Sequence, residues 1–124
     1  MIHSQPMLKK TMRIRRGLKV LSVKVRLHVD DVAADYNKAQ GRLADTEKLL
    51  QKNASEASMN EYGEAVINLF CVLFGEKDTE RIIKFYEGRY IEMLADIYPW
   101  IQDNILPALR NPFQKALDKY MGRK

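Results

Sequence analysis

Near the amino terminus, apolar and polar residues alternate in a way that predicts a β-strand. The strand is predicted over Lys19 to Val29. From Leu21 onward every second residue is apolar, and the residues between are Ser, Lys, Arg or His. An isolated strand leaves backbone groups unpaired, so this one needs a partner. The partner is either a short strand over 12–16 that turns at Gly17 or a strand of a second chain. The apolar positions are Leu21, Val23, Val25, Leu27 and Val29.

Beyond this strand the apolar spacing changes to that of an α-helix. Asp30 and Asp31 mark the helix start, because short acidic side chains cap free N–H groups and complement the helix dipole. The helix is expected to end near Gln51. Its inward residues advance by steps of four and three, which places them on one face. They are Val32, Tyr36, Ala39, Leu43, Thr46 and Leu50.

Three further helices are predicted. The most hydrophobic covers about 59–74, and Gly75 is placed to cap its carboxyl end. A third helix begins at Asp78 or Thr79 and either ends or bends at Gly88.

The last long helix is expected over about 90–109. It contains two prolines, which predict a kink or break near Tyr98. The segment 113–121 has the spacing of a short amphipathic helix.

These elements predict a mainly α fold, a small helical domain of four to five helices with a short amino-terminal β-strand or hairpin. The chain has 124 residues, which is typical of one domain. We expect a basic, flexible leader over 1–17, the helical domain over 18–110, and a basic tail or short helix over 111–124.

Charge is distributed unevenly along the chain. Residues 1–30 contain eight Lys or Arg and one Asp, whereas residues 31–109 contain eight basic and fourteen acidic residues. The basic ends are either solvated or able to bind phosphate, an acidic partner or the acidic middle of another copy. A small nucleic-acid-binding regulator that uses the basic amino-terminal segment is therefore an alternative function. No aromatic residue is interleaved with that segment to stack on bases.

The sequence predicts no catalytic, cofactor or metal site. Cys71 is the single cysteine and lies in the apolar second helix, and the two histidines are far apart. Glu61 and Glu64 lie one helical turn apart but lack histidine partners for a di-metal site. No apolar run is long enough to span a bilayer. We therefore expect a cytoplasmic protein that is not an enzyme and works by binding another protein.

Candidate partner-binding residues come from the apolar stripe of the first helix and from the aromatic carboxyl-terminal third. Trp100 lies one position away from the apolar stripe of its helix, and an exposed Trp would suit an interface. The predicted set is Tyr36, Leu43, Leu50, Tyr90, Trp100 and Ile101.

The order of these segments resembles the small tail-assembly chaperones of long-tailed, siphovirus-type bacteriophages and prophages. The resemblance covers about residues 20–110. It is carried by the strand that runs into an acid-opened helix over 23–32, the apolar helix ending Leu73-Phe74-Gly75-Glu76, the helix start over 78–80, and Phe85-Tyr86-Glu87-Gly88. The basic residues before 17 and after 111 depart from the family's pattern.

The resemblance implies a helical scaffold that coats the tape-measure protein, keeps it soluble, helps to recruit tail-tube subunits and leaves before the tail is complete. It carries over no catalytic residues. A homo-oligomer along the client is expected, and pairing of the strand between copies is one way to form it. A structural head–tail connector component, retained in the finished particle, is a further alternative.

Overall fold

The computed structural model describes residues 7–109. The first part of the predicted leader, residues 1–6, and the predicted tail or helix over 111–124 lie outside the described residues.

An antiparallel hairpin begins the described chain. Strand β1 (Met7–Arg16) pairs with β2 (Lys19–His28) in continuous register, from Met7 opposite His28 to Arg16 opposite Lys19. The two-residue turn opens with Gly17, whose φ of 62° suits the primed turns that match strand twist. Of the two partners predicted for the strand, the one in the same chain is present, so β2 does not require a second copy.

The prediction of a flexible leader is wrong for residues 7–17. Met12 is 1% exposed and faces the core, with Leu8 and Ile14 half-buried beside it. These residues alternate with basic ones, and Lys10 occupies a position on the same face. The long basic run therefore concealed a period-two pattern.

The first helix, α1 (Val29–Lys52), begins and ends close to its predicted limits, with Asp30 and Asp31 in its first turn. The predicted inward face is present. Tyr36, Ala39, Leu43 and Thr46 are buried, and Val32 and Leu50 are half-buried at its two ends.

Helix α2 (Glu56–Phe85) combines the predicted second and third helices. It begins three residues before the predicted Met59, because Ser55 and Ser58 form a capping box in which each side chain accepts the other's backbone N–H. Gly75 interrupts it with a non-helical φ of 82° and ψ of 163°. The predicted break is thus present as a bend between two helical segments, 56–74 and 76–85.

Helix α3 (Tyr90–Asn104) is shorter than predicted and is not interrupted at Tyr98. It continues through Pro99 and ends at Asn104, after which one more helical turn covers 106–109. Pro107 explains this limit, because its ring would clash with the carbonyl of Asp103 in a continuous helix. The predicted break therefore occurs at the second proline and not at the first.

One core joins the hairpin to the helices. β2 packs against α2 and α1, and α2 also packs against α1 and α3. The largest fully buried side chains come from both the hairpin and the helical part of the chain and include Met12, Phe70 and Tyr86. The mainly α fold with an amino-terminal hairpin is confirmed. Within residues 7–109, no helix combines the length and apolar character needed to cross a bilayer.

Candidate partner-binding groove

A groove of about 420 Å³ lies where α1, α2 and α3 meet. We call it the Ile91 groove, after its most exposed apolar residue. Both α1 and α3 pack on α2, and the space above Tyr62 of α2 lies between them. The lining residues are Gln40, Leu43, Glu47, Tyr62, Ile91, Leu94, Ala95, Tyr98 and Pro99.

A polar bridge lies at the rim of the groove. The hydroxyls of Tyr36 on α1 and Tyr98 on α3 each donate to Oε1 of Gln40, both at 3.3 Å. Burial, followed by the contact with Tyr98, raises the pKa of the Tyr36 phenol above its ordinary value. The Tyr36 phenol therefore stays protonated at neutral pH, and the two hydrogen bonds connect α1 to α3 through Gln40.

The groove has an apolar interior and a charged edge. Ile91 is 55% exposed, although it is a large aliphatic residue in the first turn of α3. Leu94 and Tyr62 form buried parts of the wall. Burial, followed by the nearby Glu47 carboxylate, raises the pKa of the Tyr62 phenol. Such an arrangement can accept apolar side chains and hold a basic group beside Glu47.

The structure gives the six predicted partner-binding residues different roles. Tyr36, Leu43 and Ile101 are 5%, 2% and 0% exposed, so their side chains belong to the core, and their role in partner binding stays a prediction. They point into the core because α2 covers the inward stripes of α1 and α3. Leu43 alone of these three also contributes to the groove wall.

The other three predicted residues, Leu50, Tyr90 and Trp100, are half-buried and lie outside the groove lining. The Trp100 ring packs against Phe74 with centroids 6.4 Å apart. Tyr90 packs so closely on α2 that a Cβ added to Gly63 would lie 3.0 Å from its ring. Trp100 and Tyr90 therefore serve internal packing, and none of the three forms part of the groove.

Sequence reasoning missed Ile91 and Ala95 as groove residues. The buried residues of α3 are Met93, Ile97 and Ile101, spaced by four, together with Leu94. Ile91, Ala95 and Tyr98 form a second set at i, i+4 and i+7, on a flank of that face. The apolar positions of α3 cover more of the helix surface than its contact with α2 requires, and this excess was the sequence signal for a second apolar surface.

A separate group of side chains, which we call the Arg16 cluster, holds the tip of the hairpin; it consists of Arg16, Tyr86, Glu92 and Asp96. The Arg16 guanidinium donates to the Phe85 carbonyl at 2.7 Å and to the Glu92 carboxylate at 2.8 Å. It also lies 4.6 Å from the centroid of the Tyr86 ring. The Tyr86 hydroxyl donates to Asp96 at 3.1 Å, and burial, followed by that bond, raises the pKa of its phenol. The polar groups of this cluster are paired with one another, so the cluster has a structural role.

Among residues 7–109, no group of three or more His, Cys, Asp or Glu side chains is arranged to hold a metal ion. Cys71 is a half-buried free thiol on α2.

No protein-family model, curated protein or solved structure matches the chain. The groove is therefore the main structural observation that bears on function.

Proposed function

We propose that the protein is a phage or prophage tail-assembly chaperone that binds the tape-measure protein, keeps it soluble and helps to recruit tail-tube subunits. The client would present an amphipathic helix to the Ile91 groove. The observation that supports this proposal is an open apolar groove between three helices, with a large aliphatic residue more than half exposed at its edge.

The shape of the groove suits a helical client. A helix docks in a groove through apolar anchors at i, i+3 or i+4, and i+7, and its polar face remains in water. The second stripe on α3 has the same spacing, so a client helix can lie along α3 with its anchors beside Ile91, Ala95 and Tyr98. Glu47 on the opposite wall favours a client helix with Lys or Arg next to its apolar stripe.

The limited size of the groove suits a temporary complex. A volume of about 420 Å³ admits only a few large side chains. Binding energy is concentrated in a few buried anchors, and a small set of anchors gives modest affinity. An assembly chaperone has to release its client, so a site of modest affinity agrees with the proposed role.

The resemblance to the tail-assembly chaperones supports the same proposal. The quoted segments correspond to described elements, namely the strand before α1, the bend at Gly75 and the aromatic end of α2. A fold alone does not imply a function. The proposal therefore depends on the resemblance and the groove together.

The test is co-expression with the protein encoded by the next long reading frame, the expected client, followed by affinity capture at low and high salt. Ile91→Glu places a carboxylate at the groove edge, where docking would have to desolvate it. Leu49→Glu is the matched control, because Leu49 is 44% exposed on α1 and lies outside the groove lining. Both variants change the net charge equally.

We expect wild type and Leu49→Glu to capture and solubilise the client at both salt concentrations. Capture by Ile91→Glu should fall by at least about tenfold, which corresponds to ~1.4 kcal/mol. Melting temperatures close to wild type would exclude misfolding of the variants. Equal capture by the two variants would reject the groove as the client site, and no capture by wild type would reject the chaperone function.

A further inference from the structure

The outer face of the hairpin is the second unexplained surface. In an antiparallel pair, residues directly opposite each other point to the same side of the sheet. Met12 opposite Val23 identifies the side that faces the core. The other side carries the pairs that include Lys9 opposite Arg26, with Lys24, Arg13 and Arg15 on the same face.

All the charged residues of this outer face are basic. Its charged residues are Lys9, Arg13, Arg15, Lys24 and Arg26, all exposed, and it contains no Asp or Glu. None of the ion pairs formed within residues 7–109 involves these five cations. We call this surface the basic ribbon.

The arrangement of charges within the basic ribbon has a folding cost. Lys9 lies directly opposite Arg26, and like charges at opposed positions destabilise a strand pair. Charged residues also protect edge strands from pairing with other chains. Charges of either sign protect an edge strand in this way, and a mixture of positive and negative residues would do so without repulsion between opposed side chains. An exclusively positive face is therefore explained better by an anionic partner.

The remaining residues of the face indicate which anion. Thr11, Ser22 and His28 add hydrogen-bond donors, and only Met7 and Val20 are apolar. Protein interfaces are enriched in aromatic residues and depleted in Lys at their centre, whereas phosphate contacts use Arg, Lys, Ser and Thr. The composition of the basic ribbon matches the second pattern.

The dimensions also agree with a nucleic acid. Lys9 and Arg15 are six residues apart, which is about 20 Å along a strand. A duplex presents one phosphate charge per roughly 1.7 Å of its axis, so about twelve charges lie within that length. A two-stranded ribbon also fits the major groove of B-form DNA.

We propose that the basic ribbon binds the phosphate backbone of nucleic acid without reading its sequence. The face carries no aromatic residue to stack on bases, so the contacts are electrostatic. This site is independent of the Ile91 groove, because the ribbon face points away from the helices that form the groove.

The test measures the binding of a labelled random-sequence DNA duplex of about 20 base pairs, two helical turns, at several salt concentrations. The ribbon variant is the full-length protein with the four substitutions Arg13→Gln, Arg15→Gln, Lys24→Gln and Arg26→Gln. The matched control removes four exposed cations from the helices, by Lys38→Gln, Lys48→Gln, Lys77→Gln and Lys84→Gln. The two variants have the same net charge.

For wild type, we expect the logarithm of the binding constant to fall with that of salt concentration with a slope of about −4, as for four to five phosphate contacts. The ribbon variant should lose most of this slope and bind at least about 100-fold more weakly at about 50 mM salt. The control should retain most of the affinity.

Three results would overturn the proposal. The first is no binding of the duplex by wild type at low salt. The second is an equal loss in both variants, which would assign binding to net charge alone. The third is tighter binding of polyglutamate than of duplex or single-stranded DNA, which would assign the ribbon to an acidic protein. Client capture through the groove is measured separately and does not depend on any of these results.

Discussion

Replacing Gly75 by alanine tests the bend in α2 directly. Gly75 has a φ of 82° and a ψ of 163°, a region that residues with a Cβ rarely occupy. Holding another residue there costs about 1–3 kcal/mol. No atom lies within 4 Å of the position that an added Cβ would occupy, so a steric clash adds nothing to that strain. Alanine also restricts the unfolded chain, which offsets about 0.4–1 kcal/mol.

We therefore expect Gly75→Ala to lower the free energy of unfolding by about 1–2 kcal/mol. Gly41→Ala is the matched control, because Gly41 lies inside α1 with ordinary helical backbone and nothing within 4 Å of an added Cβ. That change should raise the free energy of unfolding by about 0.5–1 kcal/mol. The two variants should thus differ by about 2–3 kcal/mol, close to ~10 °C in melting temperature for a chain of this length.

Urea unfolding followed by far-ultraviolet circular dichroism measures both variants. Gly75→Asn adds a second test. Asparagine tolerates the ordinary left-handed region, but a ψ of 163° lies outside that region, so asparagine should not restore stability. If Gly75→Ala were as stable as Gly41→Ala, residue 75 would have helical geometry, α2 would be continuous, and the reasoning would be refuted.

Three further predictions concern the core and its polar groups. Arg16→Met should lower the free energy of unfolding by about 1–3 kcal/mol in urea titrations, because it removes two hydrogen bonds, one of which is also the ion pair with Glu92, and Arg16→Lys should restore only part of that free energy. Thr79→Val should raise the melting temperature, because the buried Thr79 hydroxyl has no hydrogen-bond partner among the described residues, and an unchanged or lower value would contradict this. The free energy of unfolding should not be reduced by tyrosine titration below about pH 10 and should fall at higher pH. Above that pH the phenols of the unfolded chain lose their protons, whereas the buried phenols of the folded protein keep theirs. A phenolate absorbance titration should show a late phase that coincides with loss of ellipticity, and its absence would contradict the raised pKa values of Tyr36, Tyr62 and Tyr86.

Local signals were sufficient for most of the fold. The inward face of α1 follows from a stripe spaced by four and three, and the bend at Gly75 follows from a glycine after an apolar helix. Strand β1 was predicted only as one of two alternatives and only over 12–16, because basic residues occupy its outer face and two inner positions, Lys10 and Arg16. The break in α3 was predicted at the first proline, but the helix continues through Pro99 and ends at Asn104, before Pro107.

The candidate site was harder to predict than the fold. A stripe identifies which residues prefer to leave water, but not whether another part of the same chain covers them. Tyr36 and Leu43 were therefore assigned to a partner although α2 covers them. The exposure of Ile91 depends on the distance between α1 and α3, which only the assembled fold determines.

The Arg16 cluster also bears on how the chain folds during synthesis. The guanidinium binds the Phe85 carbonyl, which lies 69 residues later in the chain. At about 5–20 residues per second, the ribosome needs roughly 3–14 seconds to deliver that acceptor. During this interval α2 is incomplete, so the inner face of the hairpin, with Met12 and Val23, lacks its full cover. The nascent protein thus exposes its own apolar surface for seconds before it acquires its fold.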